Sequence, residues 1–140
     1  MAMREQKLIQ IRPEIPSARI LPDMNADEFF QNKTIRPILK LQNDLLIEVL
    51  KNYIRKNKGK FFELKSEARL IYISNSIQKD IKFRNSLKGI IIGQFTIEEY
   101  KTYIENSSAL NKRMMNLIIK RLQDQVQLFE PNKSYQEKAS

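Results

Sequence analysis

The sequence predicts an all-α fold: a compact bundle of five or six helices with an extended, proline-containing N-terminal arm. Three observations carry this. Apolar residues recur at threes and fours over long stretches, helix-start residues stand ahead of those stretches, and no segment reads as a strand.

The arm comes first. Residues 1–24 hold three of the five prolines, Pro13, Pro16 and Pro22, and no helical period. Leu8, Ile9, Ile11, Ile15, Ile20 and Leu21 give it apolar content. A disordered arm and an extended strap over an apolar groove both fit these residues; the apolar content favours the strap, for instance over a partner subunit.

Residues 25–130 form the expected helical domain. Asn25 offers an N-cap, with Asp27 and Glu28 placed favourably for the helix dipole. Thr34 is the expected cap of the next helix, with Pro37 in its first turn. Ile35, Ile38, Leu39, Leu45, Leu46, Val49, Leu50, Tyr53 and Ile54 make its core stripe, broken only by Gln42. Gly59 stops it. Ser66 opens a further helix, and Asp80 the one after.

The stretch "LKGIIIGQFTIEEY", Leu87 to Tyr100, favours a strand by its three isoleucines alone. Its flanks argue for two helices. Thr96 and Glu99 have capping-box spacing, and Phe95 and Tyr100 have hydrophobic-staple spacing. Gly93 then stands where the earlier helix ends, predicting a left-handed conformation there. Gly89, inside that helix, predicts close approach of a neighbouring helix. "GIIIG" lacks the Lys-Ser/Thr pair of a phosphate loop. The last helix, capped by Ser107 or Ser108, should run through Leu110, Met114, Leu117, Ile118, Leu122 and Val126 towards Phe129. Pro131 ends it, and residues 131–140 read as a flexible C-terminal tail.

Composition narrows the chemistry. The chain has no cysteine and no histidine, which removes thiol nucleophiles, thiolate metal sites and the usual neutral-pH general base. No catalytic residue, metal ligand or cofactor is assigned. No run approaches the roughly 20 apolar residues of a membrane span, so a cytoplasmic protein without membrane contact is expected. The net charge of +9 favours acidic partners.

Two polar constellations stand out. "KNYIRKNKGK" carries Lys51, Arg55, Lys56, Lys58 and Lys60 with no acid, and Lys79, Lys82, Arg84 and Lys88 form a second cluster around Asp80. They suit phosphate contacts on nucleic acid, with Tyr53, Phe61 and Phe62 as candidate stacking groups; a solvated helix end uses the same residues. Ser107, Ser108, Asn111, Lys112 and Arg113 could line an anion site at a helix start, or serve as ordinary capping chemistry. Glu98 and Glu99 point to different helix sides and do not make a paired acid site. Asn43, Asn75, Asn85 and Arg121 lie near apolar faces, as buried network members or interface edges.

"FQNKTIRPILKLQNDLLIEVLKNYI" and "KFRNSLKGIIIGQFTIEEYKTYIENSSALNKRMMNLIIKRLQDQV", with the helix between them, resemble a small bacterial family of unknown function whose members are sometimes labelled glyoxalase. The resemblance spans about residues 29–129. The label implies a metal-dependent lyase built from βαβββ units with His and Glu ligands. This chain offers no histidine and no strand pattern, so no catalytic residue carries over.

The residues themselves favour a helical protein–protein interaction module, self-associating as a homodimer and non-enzymatic. A nucleic-acid-binding domain using the basic helical face is the alternative, and a glyoxalase-type lyase is what the family label would imply.

Overall fold

The computed structural model describes residues 3–130, so the expected tail at 131–140 lies outside the described residues. Among them every regular element is helical, and Ile90–Ile92 belong to a helix. The α-helices are α1 (Met3–Gln10), α2 (Ala26–Phe30), α3 (Arg36–Leu41), α4 (Asn43–Lys56), α5 (Ser66–Lys79), α6 (Ile81–Ile92), α7 (Ile97–Glu105) and α8 (Ser107–Asp124). Short 3₁₀ turns follow α4 and α8, at Lys60–Glu63 and Val126–Phe129.

The arm departs from expectation. Met3–Gln10 is helical although it buries no side chain. Polar ends hold it. Arg4 donates to the carbonyls of Gly93 and Phe95 at 3.3 and 3.0 Å, and the Glu5 carboxylate accepts the Ile97 N–H at 2.9 Å. Such contacts leave no apolar period in the sequence. The arm therefore straps its own chain.

A second difference concerns where the long helix breaks. α2 passes into α3 through a π-turn at Gln31–Ile35, in which the Arg36 N–H reaches back to the Gln31 carbonyl. Pro37 follows at once; proline cannot donate and its ring crowds the carbonyl four residues back, which the wider turn relieves. Thr34 sits inside this turn, buried, rather than capping a new helix. The real break is Gln42, whose φ of −91° and ψ of 4° separate α3 from α4. The kink rephases the stripe: Ile47 is buried and Leu45 half-exposed. The helix count exceeds the expected five or six because the arm contributes α1 and Gln42 divides one expected rod.

The core is continuous through Ile35, Ile38, Leu46, Leu50, Ile54, Phe61, Ile73, Ile77, Leu87, Ile91, Met114, Ile118 and Leu122. Such burial is the main favourable term in folding. Two aromatic groups tie its ends. Phe95 meets Phe30 and Tyr103 edge-on at 5.5 and 5.6 Å, and Phe61 meets Tyr72 and Phe129 at 5.4 and 6.3 Å. Phe95 thus takes Tyr103 as its ring neighbour on α7, while Tyr100 stays exposed.

Several caps match their residues. Asn25 accepts the Glu28 N–H, Asp80 accepts the Phe83 N–H, and both halves of the Thr96–Glu99 box are made. Others move. α8 begins at Ser107 with Asn106 at the cap position, so neither Ser107 nor Ser108 caps, while α5 does open at Ser66 as expected. α8 stops at Asp124, before the 3₁₀ turn to Phe129.

The glycines divide. Gly59 is left-handed at φ 65°, as a helix stop requires. Gly93 is not: its φ is −59° and ψ −18°. The end of α6 is closed instead by tight turns, with the Gln94 and Phe95 N–H groups reaching the Ile91 and Ile92 carbonyls, and by the Gln42 side chain, which donates to the Ile90 carbonyl. Gly89 faces open space, so no helix approaches it.

Candidate interaction surfaces

The arm is locked at Arg12. Its guanidinium donates to both oxygens of Glu99, at 2.6 and 2.7 Å, and to the Gln94 carbonyl at 2.8 Å. Glu99 also accepts the Thr96 N–H and the Thr34 hydroxyl, so one carboxylate joins the arm, the π-turn and α7. Burial alone would push the Glu99 carboxyl up. The Arg12 bonds, the Thr96 N–H and the Thr34 hydroxyl outweigh it and hold the group below its usual range. The ionic form is thereby spent on structure and is no free acid or base.

Beside this lock lies a groove of ≈ 810 Å³, whose walls include Ile9, Ile20, Leu21, Phe29 and Phe30 and whose far side is α7 at Glu98 and Thr102. α7 itself turns an apolar stripe outward. Ile97, Tyr100 and Ile104 follow helical spacing at 56%, 45% and 53% exposure. Only Tyr103 of this helix is buried. Glu98 and Lys101 pair at 3.6 Å along its rim. Sequence periodicity pointed to α7 as a helix but not to which face meets the body.

A second surface gathers charge. Tyr53 donates its hydroxyl to Asp80 at 2.9 Å and stacks on Phe83 at 4.0 Å. This joins the end of α4 to the α5–α6 corner, so the two basic clusters of the sequence meet at one end of the molecule. Arg55, Lys56, Lys58, Lys60, Lys79 and Lys82 are exposed there. Among the described residues none of the six is ion-paired, whereas Lys51 pairs with Glu48. A dish of ≈ 300 Å³ is lined by Tyr53, Lys56, Lys58, Lys60, Tyr72 and Ser76. Burial, then the Asp80 contact, pushes the Tyr53 hydroxyl up. The stacking groups are otherwise engaged. Tyr53 is covered by Phe83 and Phe61 is buried, with Phe62 packed against the core.

The anion site expected at Ser107, Ser108, Asn111, Lys112 and Arg113 does not assemble. Asn111 accepts the Tyr103 hydroxyl, and Arg113 donates to Gln31 at 3.0 Å. Asn106 donates to both oxygens of Asp27 at 2.9 Å, bringing a carboxylate to the helix start where an anion would sit. Lys112 and Ser108 are exposed.

Asn43 and Arg121, apart in sequence, share one network. Asn43 and Gln125 exchange side-chain amide bonds at 3.0 and 2.7 Å, and Arg121 donates to Asn43 at 3.3 Å. Asn75 and Asn85 are exposed and take no part.

Among the described residues no helix is long and apolar enough to cross a membrane. Compared with protein-family models, curated proteins and solved structures, the chain matches none.

Proposed function

We propose that this chain is a non-enzymatic, helical protein–protein interaction module that self-associates through α7. The outward stripe of Ile97, Tyr100 and Ile104 carries the reading, because exposed apolar groups gathered on one helix face mark contact surfaces. The groove beside it extends the apolar area, and Glu98 and Lys101 on the rim supply both signs of charge. A two-fold pairing of α7 with itself would set those opposite charges against one another. Sedimentation velocity over a range of concentrations should give a dimer mass. The double substitution Ile97→Lys with Ile104→Lys should return the monomer with the helical circular dichroism unchanged. A concentration-independent monomer for the unmodified chain overturns the reading.

The meeting of the two basic clusters favours a second reading, nucleic-acid binding at the α4 end. Contacts there would be to phosphates, without the aromatic stacking that the sequence suggested. Binding should fall steeply between about 50 and 200 mM salt. Replacing Arg55, Lys56, Lys58 and Lys60 by Ala should weaken binding to DNA and RNA of any sequence alike. No gel retardation of either at low salt removes this reading.

A further inference from the structure

At the opposite end of α4 lies another pocket of ≈ 300 Å³, between α3 and the last turns of α8. Arg36, Lys120 and Arg121 line it with Leu39, Leu117 and Asp124. The 14 residues of α4 put it roughly 20 Å from the basic dish.

Two arginines of like charge line this space, and among the described residues neither forms a salt bridge. Among the described residues Arg121 makes one side-chain bond, to the neutral Asn43, and Arg36 makes one, to the Ser17 hydroxyl at 3.4 Å. A guanidinium carries five N–H donors, so on both most have no partner among the described residues. Asp124 is the one acid of the lining, and it pairs with Lys120 at 3.8 Å. The pocket therefore keeps a surplus of positive charge. Burial, then the nearness of Arg36, lowers the Arg121 pKa, and the attraction of Asp124 offsets this only in part. The Asn43–Gln125 amide pair holds Arg121 in place against this.

We propose that the Arg36–Arg121 pocket binds a single phosphoryl group, with Lys120 as a third cation and Leu39 and Leu117 as an apolar floor. Guanidinium groups match phosphate oxygens in paired, directed bonds. The floor leaves room for an organic substituent on the phosphate. The site stands apart from both surfaces above and rests on neither.

The test is titration of the full chain with inorganic phosphate and, separately, phenyl phosphate, with ionic strength held constant by sodium chloride. Backbone amide shifts in NMR should saturate and concentrate at residues 36–39 and 117–125. The melting temperature should rise with ligand and level off, as binding to the folded state requires. A larger effect of phenyl phosphate assigns a phosphate ester as the ligand; an equal effect assigns the free ion. Arg36→Gln and Arg121→Gln should each abolish the ligand-dependent rise, while Lys56→Ala with Lys58→Ala and Lys60→Ala should leave it intact. Absence of a saturable change, shifts centred on residues 56–60, or a rise that persists in either arginine variant overturns the proposal. The NMR arm needs no variant, so a poorly folded substitution leaves the proposal falsifiable.

Discussion

Arg12 and Glu99 stand 87 residues apart in the chain and 2.6 Å apart in space. Their side chains are only 7% and 16% exposed. The same Glu99 completes the capping box of α7, so the arm's attachment and the helix start share one carboxylate. Breaking a buried ion pair from one side leaves the other charge uncompensated. Arg12→Ala should therefore cost roughly 3–5 kcal/mol. Thr96→Ala, which removes only the cap oxygen, should cost about 0.5–2 kcal/mol. Urea denaturation of the two variants ranks them, and a smaller loss for Arg12→Ala would show that the arm is not locked by this pair.

The same carboxylate sets an acid response. Its pKa is lowered in the folded state, so the unfolded chain binds the proton first as pH falls. The stabilisation is whole above the unfolded value, about 4.3 for Glu. It is lost as pH falls through the depressed folded value. Melting temperatures measured from neutral pH downward should drop in this window, and less steeply for Glu99→Gln. Equal slopes for both chains would assign the acid loss to other groups.

Gly89 is a helix-interior glycine with open space around it. Gly89→Ala should stabilise the chain by up to about 1 kcal/mol, the propensity difference between the two residues. Gly93 is also right-handed, but a Cβ there would stand 3.1 Å from the Gly89 carbonyl oxygen. Gly93→Ala should therefore gain less than Gly89→Ala. Equilibrium unfolding decides the order, and the reverse order contradicts the crowding at Gly93.

The stop after α4 uses two left-handed residues, Lys58 at φ 63° and Gly59 at φ 65°. Only glycine takes that region without strain. Lys58→Gly should stabilise by about 1 kcal/mol. Gly59→Ala should cost about 1–2 kcal/mol, since its Cβ would also press to 3.3 Å from the Phe62 ring. Denaturation midpoints of both variants, with Lys58→Ala as reference, test the pair. Lys58→Gly no more stable than Lys58→Ala would deny the strain.

Local chemistry by itself determined much of this molecule. The Asn25 and Asp80 caps, the Thr96–Glu99 box and the Gly59 stop each involve partners a few residues away, so spacing along the chain was enough to place them. Most of the apolar stripe likewise follows from helical period: Ile35, Ile38, Leu39, Leu46, Leu50 and Ile54 are buried and Val49 and Tyr53 pack against the core, whereas Leu45 is left exposed by the kink at Gln42. Tertiary structure decided the rest. Gly93 stays right-handed because the last carbonyls of α6 are served without a left-handed cap: the Gly93, Gln94 and Phe95 N–H groups reach Gly89, Ile91 and Ile92, and the Gln42 side chain, distant in sequence, donates to Ile90. Thr34 leaves its expected cap because a π-turn carries it to Glu99. The basic clusters meet through Tyr53 and Asp80, and Arg36 faces Arg121 across the α3–α8 pocket, because helices distant in sequence pack side by side. A hydrogen bond or a like-charge approach between remote residues leaves no period in the chain, and only packing brings it about.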